Sequence, residues 1–140
     1  MAARGECNCG AVAFEVEGAL SDVFVCHCSI CRRFTGANGI AVLVVDNDAF
    51  RWVRGEAEVA VWHKPGADWA AWFCRVCGSA VPGANDADRM FIPAGSITHG
   101  GEALRVAHHI LVGSKAVWDE IGDAGRRHAE GYSAGAANPG

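Results

Sequence analysis

Residues 11–18, AVAFEVEG, alternate apolar and polar side chains, with Phe14 and Val16 on one side and Glu15 and Glu17 on the other. A period of two is the mark of a half-buried β-strand. Comparable short apolar runs follow: DVFVC, GIAVLVV, FRWVRG, AEVAVWH, WAAWFC, AVPG, RMFIPAG and AHHILVG, separated by turn-forming sequence. Many short strands at such intervals predict a mainly β domain. Helix is expected only as minor pieces. The one named candidate is KAVWDEIGD, residues 115–123, where Val117 and Ile121 stand four apart and one or two turns would fit. From Ala124 onward the chain is rich in Gly and Ala without an apolar period, so a domain over residues 1–123 is expected to end in a partly mobile tail, 124–140.

Composition narrows the class. The 140 residues are 51% hydrophobic and 20% charged, the profile of one compact domain. No apolar run approaches the roughly 18 residues of a membrane-spanning helix. The start, MAARGECNCG, has no apolar stretch after its arginine, so no secretory leader is expected and a cytoplasmic location is. A net charge of −4, with basic residues paired only locally, argues against a surface that neutralises nucleic-acid phosphates. Neither nucleic acid nor membrane is an expected partner.

Cysteine changes the picture most. Seven are present, an odd number that cannot all pair within one chain, and all fall in clusters: Cys7 and Cys9 as C-x-C, Cys26, Cys28 and Cys31 as C-x-C-x-x-C, and Cys74 and Cys77 as C-x-x-C. They sit among Gly, Asn, Ser and Arg in turn-like sequence, where an inert core thiol would be scattered among apolar residues. Zinc takes tetrahedral thiolate coordination, and cysteines one or two residues apart can aim at one ion. The count suggests a division into a closed four-sulfur site from Cys7, Cys9, Cys74 and Cys77, and an open three-sulfur site from Cys26, Cys28 and Cys31. Spacing also allows other partitions, such as the central three with one cysteine from a neighbouring cluster. A thioredoxin-like reading of CRVC is disfavoured because no βαβ pattern surrounds it.

These segments in this order, GECNCGAVAFEVEG, CHCSICRRFTGA, WFCRVCGS, IPAGSIT and AHHILVGSKAVWDEI, resemble the GFA family, named for the glutathione-dependent formaldehyde-activating enzyme and also called the CENP-V/GFA domain. The resemblance implies zinc-anchored antiparallel sheets, the β-tent. It implies two zinc ions, a structural one on Cys7, Cys9, Cys74 and Cys77 and a second, catalytic and labile, on Cys26, Cys28 and Cys31. The implied activity is that of a carbon–sulfur lyase acting on a small thiol adduct such as S-hydroxymethylglutathione, formed from glutathione and formaldehyde. The chain departs from the family before its last cysteine pair: many members read Ser-Ser-Pro-Gly there, and this one reads His63, Lys64, Pro65, Gly66.

Other polar residues are secondary candidates. His63 could serve as an acid or base, although a histidine at a strand end is usually a surface residue. Arg32, Arg33 and Lys64 could meet the carboxylates of a peptide-like thiol. His27 lies inside the C-x-C turn and is not counted as a ligand. His108 and His109 are neighbours on a strand, so one should face inward and one outward, and neither is counted as a ligand. The five tryptophans are read as packing residues, with Trp69 or Trp72 able to line a pocket. Against the enzyme stand two alternatives, a zinc-stabilised binding module and a zinc-buffering protein without catalysis.

Overall fold

The computed structural model describes residues 3–132. The elements are β1 (Ala3–Glu6), β2 (Ala13–Val16), β3 (Val23–Cys26), α1 (Ser29–Thr35), β4 (Ile40–Asp46), β5 (Phe50–Arg54), β6 (Val59–His63), β7 (Ala70–Cys74), β8 (Gly83–Ala84), β9 (Arg89–Pro93), β10 (Ile97–His99), β11 (Val106–Ile110) and β12 (Arg126–Arg127), with short 3-10 turns between some of them. The protein is mainly β, with several antiparallel sheets. The chain divides into two compact units, one of Met1–Ser21 with Leu43–Ala103 and one of Asp22–Val42 with Leu104–Gly140.

In the first unit, β10, β1, β2 and β5 form an antiparallel sheet in that order. The alternation read in residues 11–18 becomes β2, where Phe14 and Val16 are fully buried and Glu15 faces Arg51 across the pair in an ion pair of 2.9 Å. Phe14 stacks on Phe50, whose ring meets Trp52 edge-on. β6 and β7 make a regular antiparallel hairpin from Val59↔Cys74 to His63↔Ala70, and β8 pairs with β9. Cys7, Val12, Cys74 and Val81 form one buried cluster, against which Trp52, Val59 and Trp72 pack.

In the second unit, β3 pairs antiparallel with the start of β4 but parallel with β11, which in turn pairs parallel with β12. Parallel neighbours need a long connection, and here the intervening chain supplies it. The helix also falls elsewhere than expected. Residues 115–123 hold no helix; a turn closed by the Asp119 N–H on the Ala116 carbonyl (3.1 Å) leaves Val117 97% and Trp118 68% exposed. Four apolar positions in nine residues made that segment look amphipathic, but two of them, Val117 and Trp118, stay exposed. The helix is α1, inside the cysteine-rich stretch itself, ended by Gly36 in the left-handed conformation (φ 70°). The packing role expected of all tryptophans also fails for Trp118 and for Trp62, which is 52% exposed on the outer hairpin strand. Residues 126–132, part of the expected tail, join the unit through β12, the buried His128 and a ring contact between Tyr132 and His108; residues 133–140 lie outside the described residues.

Candidate metal centres

The first centre lies wholly in the first unit. A turn after β1 carries Cys7 and Cys9, closed by Gly10 N–H to Cys7 O (3.0 Å), and the Val12 amide donates to Cys7 Sγ (3.3 Å). A second turn after β7 carries Cys74 and Cys77, closed by Gly78 N–H to Cys74 O (2.7 Å). Ser79 joins the two turns: its Oγ accepts from the Asn8 amide at 3.0 Å and lies 3.1 Å from Cys77 Sγ. Sulfur to sulfur, Cys7 and Cys9 are 3.7 Å apart, and Cys9 and Cys74 are 3.8 Å apart. A tetrahedron with metal–sulfur bonds near 2.3 Å has an edge of about 3.8 Å, so these spacings match what such an ion requires.

The thiols of this group pull one another apart in acidity. Hydrogen bonding from Ser79 brings Cys77 down to about 5. At Cys9 the Ala11 amide acts downward, but desolvation and the bonds to Cys7, Cys77 and Cys74 carry the thiol up to about 12. Four neighbouring sulfurs cannot all be anionic without a cation among them, and a metal ion would displace the protons they share.

The second centre lies wholly in the second unit, where Cys26, Cys28 and Cys31 bring their sulfurs within 4.8 Å of one another. β3 delivers Cys26, held opposite Ile40 and Ile110. Cys28 caps α1, its Sγ accepting the Cys31 amide (3.3 Å), and Cys31 is buried in the first helical turn. Gly39 passes so close that a Cβ there would stand 2.3 Å from the Cys26 carbonyl oxygen, so the site needs glycine at that position. The hydrogen bond with Cys31, and contacts with Cys28, lower Cys26 to about 6 against the effect of burial, while the bond to Cys26 pushes Cys31 up.

Both groups could hold metal ions, and all-sulfur donors at these spacings are consistent with zinc. The two sets are those expected from the sequence, and the partition with a borrowed cysteine is not adopted. All seven cysteines are free thiols. His27 is fully buried between Cys26 and Cys28 and turns its ring to other partners: Nε2 lies 2.8 Å from His109 Nδ1, and Nδ1 lies 3.5 Å from Asp119 Oδ2. Burial, with help from His109, lowers its pKa, against the pull of Asp119. His109 Nε2 is 2.8 Å from Asp123 Oδ1. His108 instead stacks on Phe24 and bonds His128 at 3.0 Å.

Of the secondary candidates, Arg32 follows Cys31 directly and donates to the Ser114 carbonyl at 3.2 Å, while Arg33 is exposed on α1. His63 and Lys64 belong to the first unit, at the β6–β7 hairpin, with His63 exposed and the Lys64 amide bonded to Trp69 O at 3.0 Å. What the sequence reasoning missed is the hydrogen-bonded set of buried His27 and His109 with the part-exposed Asp123. The signal was a histidine inside a cysteine turn and a second one on a strand, and nothing in their spacing paired them.

Comparison with known proteins bears on these centres. The sequence model of GFA, described as glutathione-dependent formaldehyde-activating enzyme, matches residues 2–114. A protein of Halomonas elongata, provisionally named a glutathione-dependent formaldehyde-activating enzyme, is 34% identical over 89 residues, which cover 58% of this chain and 55% of that one. The chain thus spans about half the length of that relative. A crystal structure of a Rhodobacter sphaeroides protein superposes with a TM-score of 0.56 at 26% identity, over 69% of this chain and 89% of the other.

Proposed function

Because the chain belongs to the GFA family, we propose that it is a zinc-dependent carbon–sulfur lyase acting on a small thiol adduct, with S-hydroxymethylglutathione the leading candidate. The observation that carries this reading is the cluster of Cys26, Cys28 and Cys31: three sulfurs within 4.8 Å of one another, a set one short of tetrahedral closure. Zinc bound there would supply Lewis acidity and would favour thiolate over thiol near neutral pH. The four sulfurs of Cys7, Cys9, Cys74 and Cys77 would hold a second, structural zinc.

The chain's own residues would do the rest. The cap at Cys28 and the β3 anchoring of Cys26 fix the sulfurs. Arg33, exposed on the same helix, could meet a substrate carboxylate, and Arg32 could brace the loop through Ser114. His63 and Lys64 remain candidates for proton transfer and carboxylate contact. In the synthetic direction the thiol sulfur adds to the formaldehyde carbon, the carbonyl π pair moves to oxygen, and that oxygen takes the proton the thiol gives up. Free thiols throughout suit a reducing, cytoplasmic setting.

Zinc content per chain, with and without excess glutathione, followed by an assay of adduct formation from formaldehyde, tests the reading. Two zincs per chain, one perturbed by glutathione, with turnover above the spontaneous rate, is the expected result. Two zincs indifferent to the thiol, without turnover, would instead favour a binding module or a zinc buffer.

A further inference from the structure

From His27, inside the three-cysteine turn, a hydrogen-bonded line of two buried imidazoles runs to the part-exposed carboxylate of Asp123, and the chemistry above does not use it. His27 is completely buried and His109 is 4% exposed. Asp123 Oδ1 is 2.8 Å from His109 Nε2 and accepts the Gly125 amide at 2.8 Å. His109 Nδ1 is 2.8 Å from His27 Nε2. His27 Nδ1 has no hydrogen-bond partner, and the nearest carboxylate oxygen, Asp119 Oδ2, stands off at 3.5 Å while taking the Asn38 amide at 3.4 Å.

These distances choose the direction of the line. A carboxylate only accepts, so at 2.8 Å His109 Nε2 must carry a proton toward Asp123. With a single proton on that ring, Nδ1 is bare and His27 Nε2 donates to it. The opposite direction would set a bare His109 nitrogen against the Asp123 carboxylate at 2.8 Å, in return for the 3.5 Å approach of His27 to Asp119 and its contact with the Asn38 backbone. The short contact wins. Asp123 therefore fixes the tautomer and ring plane of His109, and His109 those of His27, whose backbone amide is also tied to Ile110 O at 3.0 Å.

We propose that Asp123 is a positioning residue, acting through His109 and His27 to hold the turn that carries Cys26 and Cys28 in the geometry that takes up a metal ion. Asp123 lies beyond residues 2–114, the part matched by the family's sequence model, so this support comes from a segment outside the match. Outer-shell carboxylates play the corresponding role behind histidine ligands; here the oriented histidine is flanked by the ligands instead of being one. The inference rests on reading Cys26, Cys28 and Cys31 as a metal site.

The test is cobalt(II) titration of the full chain, read by thiolate-to-cobalt absorption, on the unsubstituted protein, Asp123→Ala and Asp123→Asn, with thermal unfolding beside it. Asp123→Ala should weaken the second cobalt site by roughly tenfold, the low end for outer-shell changes, and leave the first site unchanged. Asp123→Asn, whose side-chain oxygen can still accept from His109, should restore most of the loss. Nitrogen-15 NMR should find both His27 and His109 protonated at Nε2 in the unsubstituted protein, and a tautomer mixture in Asp123→Ala. Unchanged cobalt uptake in Asp123→Ala, or equal damage in the two variants, overturns the inference alone. A single cobalt per chain in the unsubstituted protein overturns the metal reading and the inference with it.

Discussion

The two cysteine clusters share short spacings but differ in what surrounds them. In the first, Cys9 and Cys74 are 65 residues apart in sequence, and the cluster's inner half, Cys7 and Cys74, is continuous with the apolar core through Val12 and Val81. In the second, all three cysteines fall within one strand end and one helical turn, backed by the imidazoles of His27 and His109. A metal joining distant segments removes far more freedom from the unfolded chain than one bridging a single turn. On the proposed reading, the same ligand chemistry would serve stability in one place and leave room for reactivity in the other.

That contrast breaks most sharply at Cys74. Cys74→Ala removes a fully buried sulfur from the core, and structural zinc binding, where it occurs, is worth about 10–16 kcal/mol in small domains, as much as or more than a typical fold's net stability. Circular dichroism and metal analysis should find the variant largely unfolded or zinc-poor. Cys28→Ala should keep the fold, losing no more than about 1–2 kcal/mol, and should lose one metal per chain together with thiol-dependent turnover. Equal unfolding in the two variants would abolish the division.

Graded chelation gives a second cut at the same difference. A competing chelator should withdraw one metal per chain while the circular dichroism spectrum holds, and the second only as the fold is lost. Simultaneous release of both would mean that the clusters are equally structural.

A smaller effect separates two glycines. At Gly83 a Cβ would stand 2.3 Å from the Trp72 ring, which packs on the first cluster's core; at Gly39 it would stand 2.3 Å from the Cys26 carbonyl. Either Gly→Ala change should cost about 1–3 kcal/mol by overpacking. Gly39→Ala should also impair metal uptake by the three-cysteine cluster, because backbone at Cys26 has to move. Denaturant unfolding and cobalt titration of both variants would reveal whether the damage stays in its own unit.

The two cysteine groups that could hold metal were legible because chelation demands clustered cysteines, and a cluster survives as a string of letters. The longer strands were legible through alternating apolar side chains. β1 was not, because the residues it turns inward are Ala3 and Gly5, and Gly5 lies against the Phe14 ring without any side chain to announce it. β12 is two exposed arginines. The helix hid because α1 is only seven residues long and is capped by a cysteine rather than by Ser, Asn or Asp. The imidazole line was hidden for a different reason: His27 and His109 are 82 residues apart, and only the parallel pairing of β3 with β11 brings them together.

That line also leaves a trace in acid stability, the smallest of the expected effects. The hydrogen bond from His109, aided by the Gly125 amide and opposed by desolvation, holds Asp123 below the usual carboxylate range. A carboxylate with a depressed folded pKa stabilises the fold above its unfolded value, about 3.9, and that contribution disappears as pH falls through the lower folded value. Asp123 is 45% exposed, so solvent screens much of the interaction and the change should be modest. Glu58 and Asp86, lowered by Arg75 and Arg89, will keep an acid slope of their own in either protein. Urea unfolding between pH 5 and pH 2 should therefore give Asp123→Asn a shallower loss of stability than the unsubstituted chain, with the two curves converging at the acid end. Parallel curves over the whole range would mean that His109 does not favour the ionised Asp123, and the direction assigned to the imidazole line would have to be reversed.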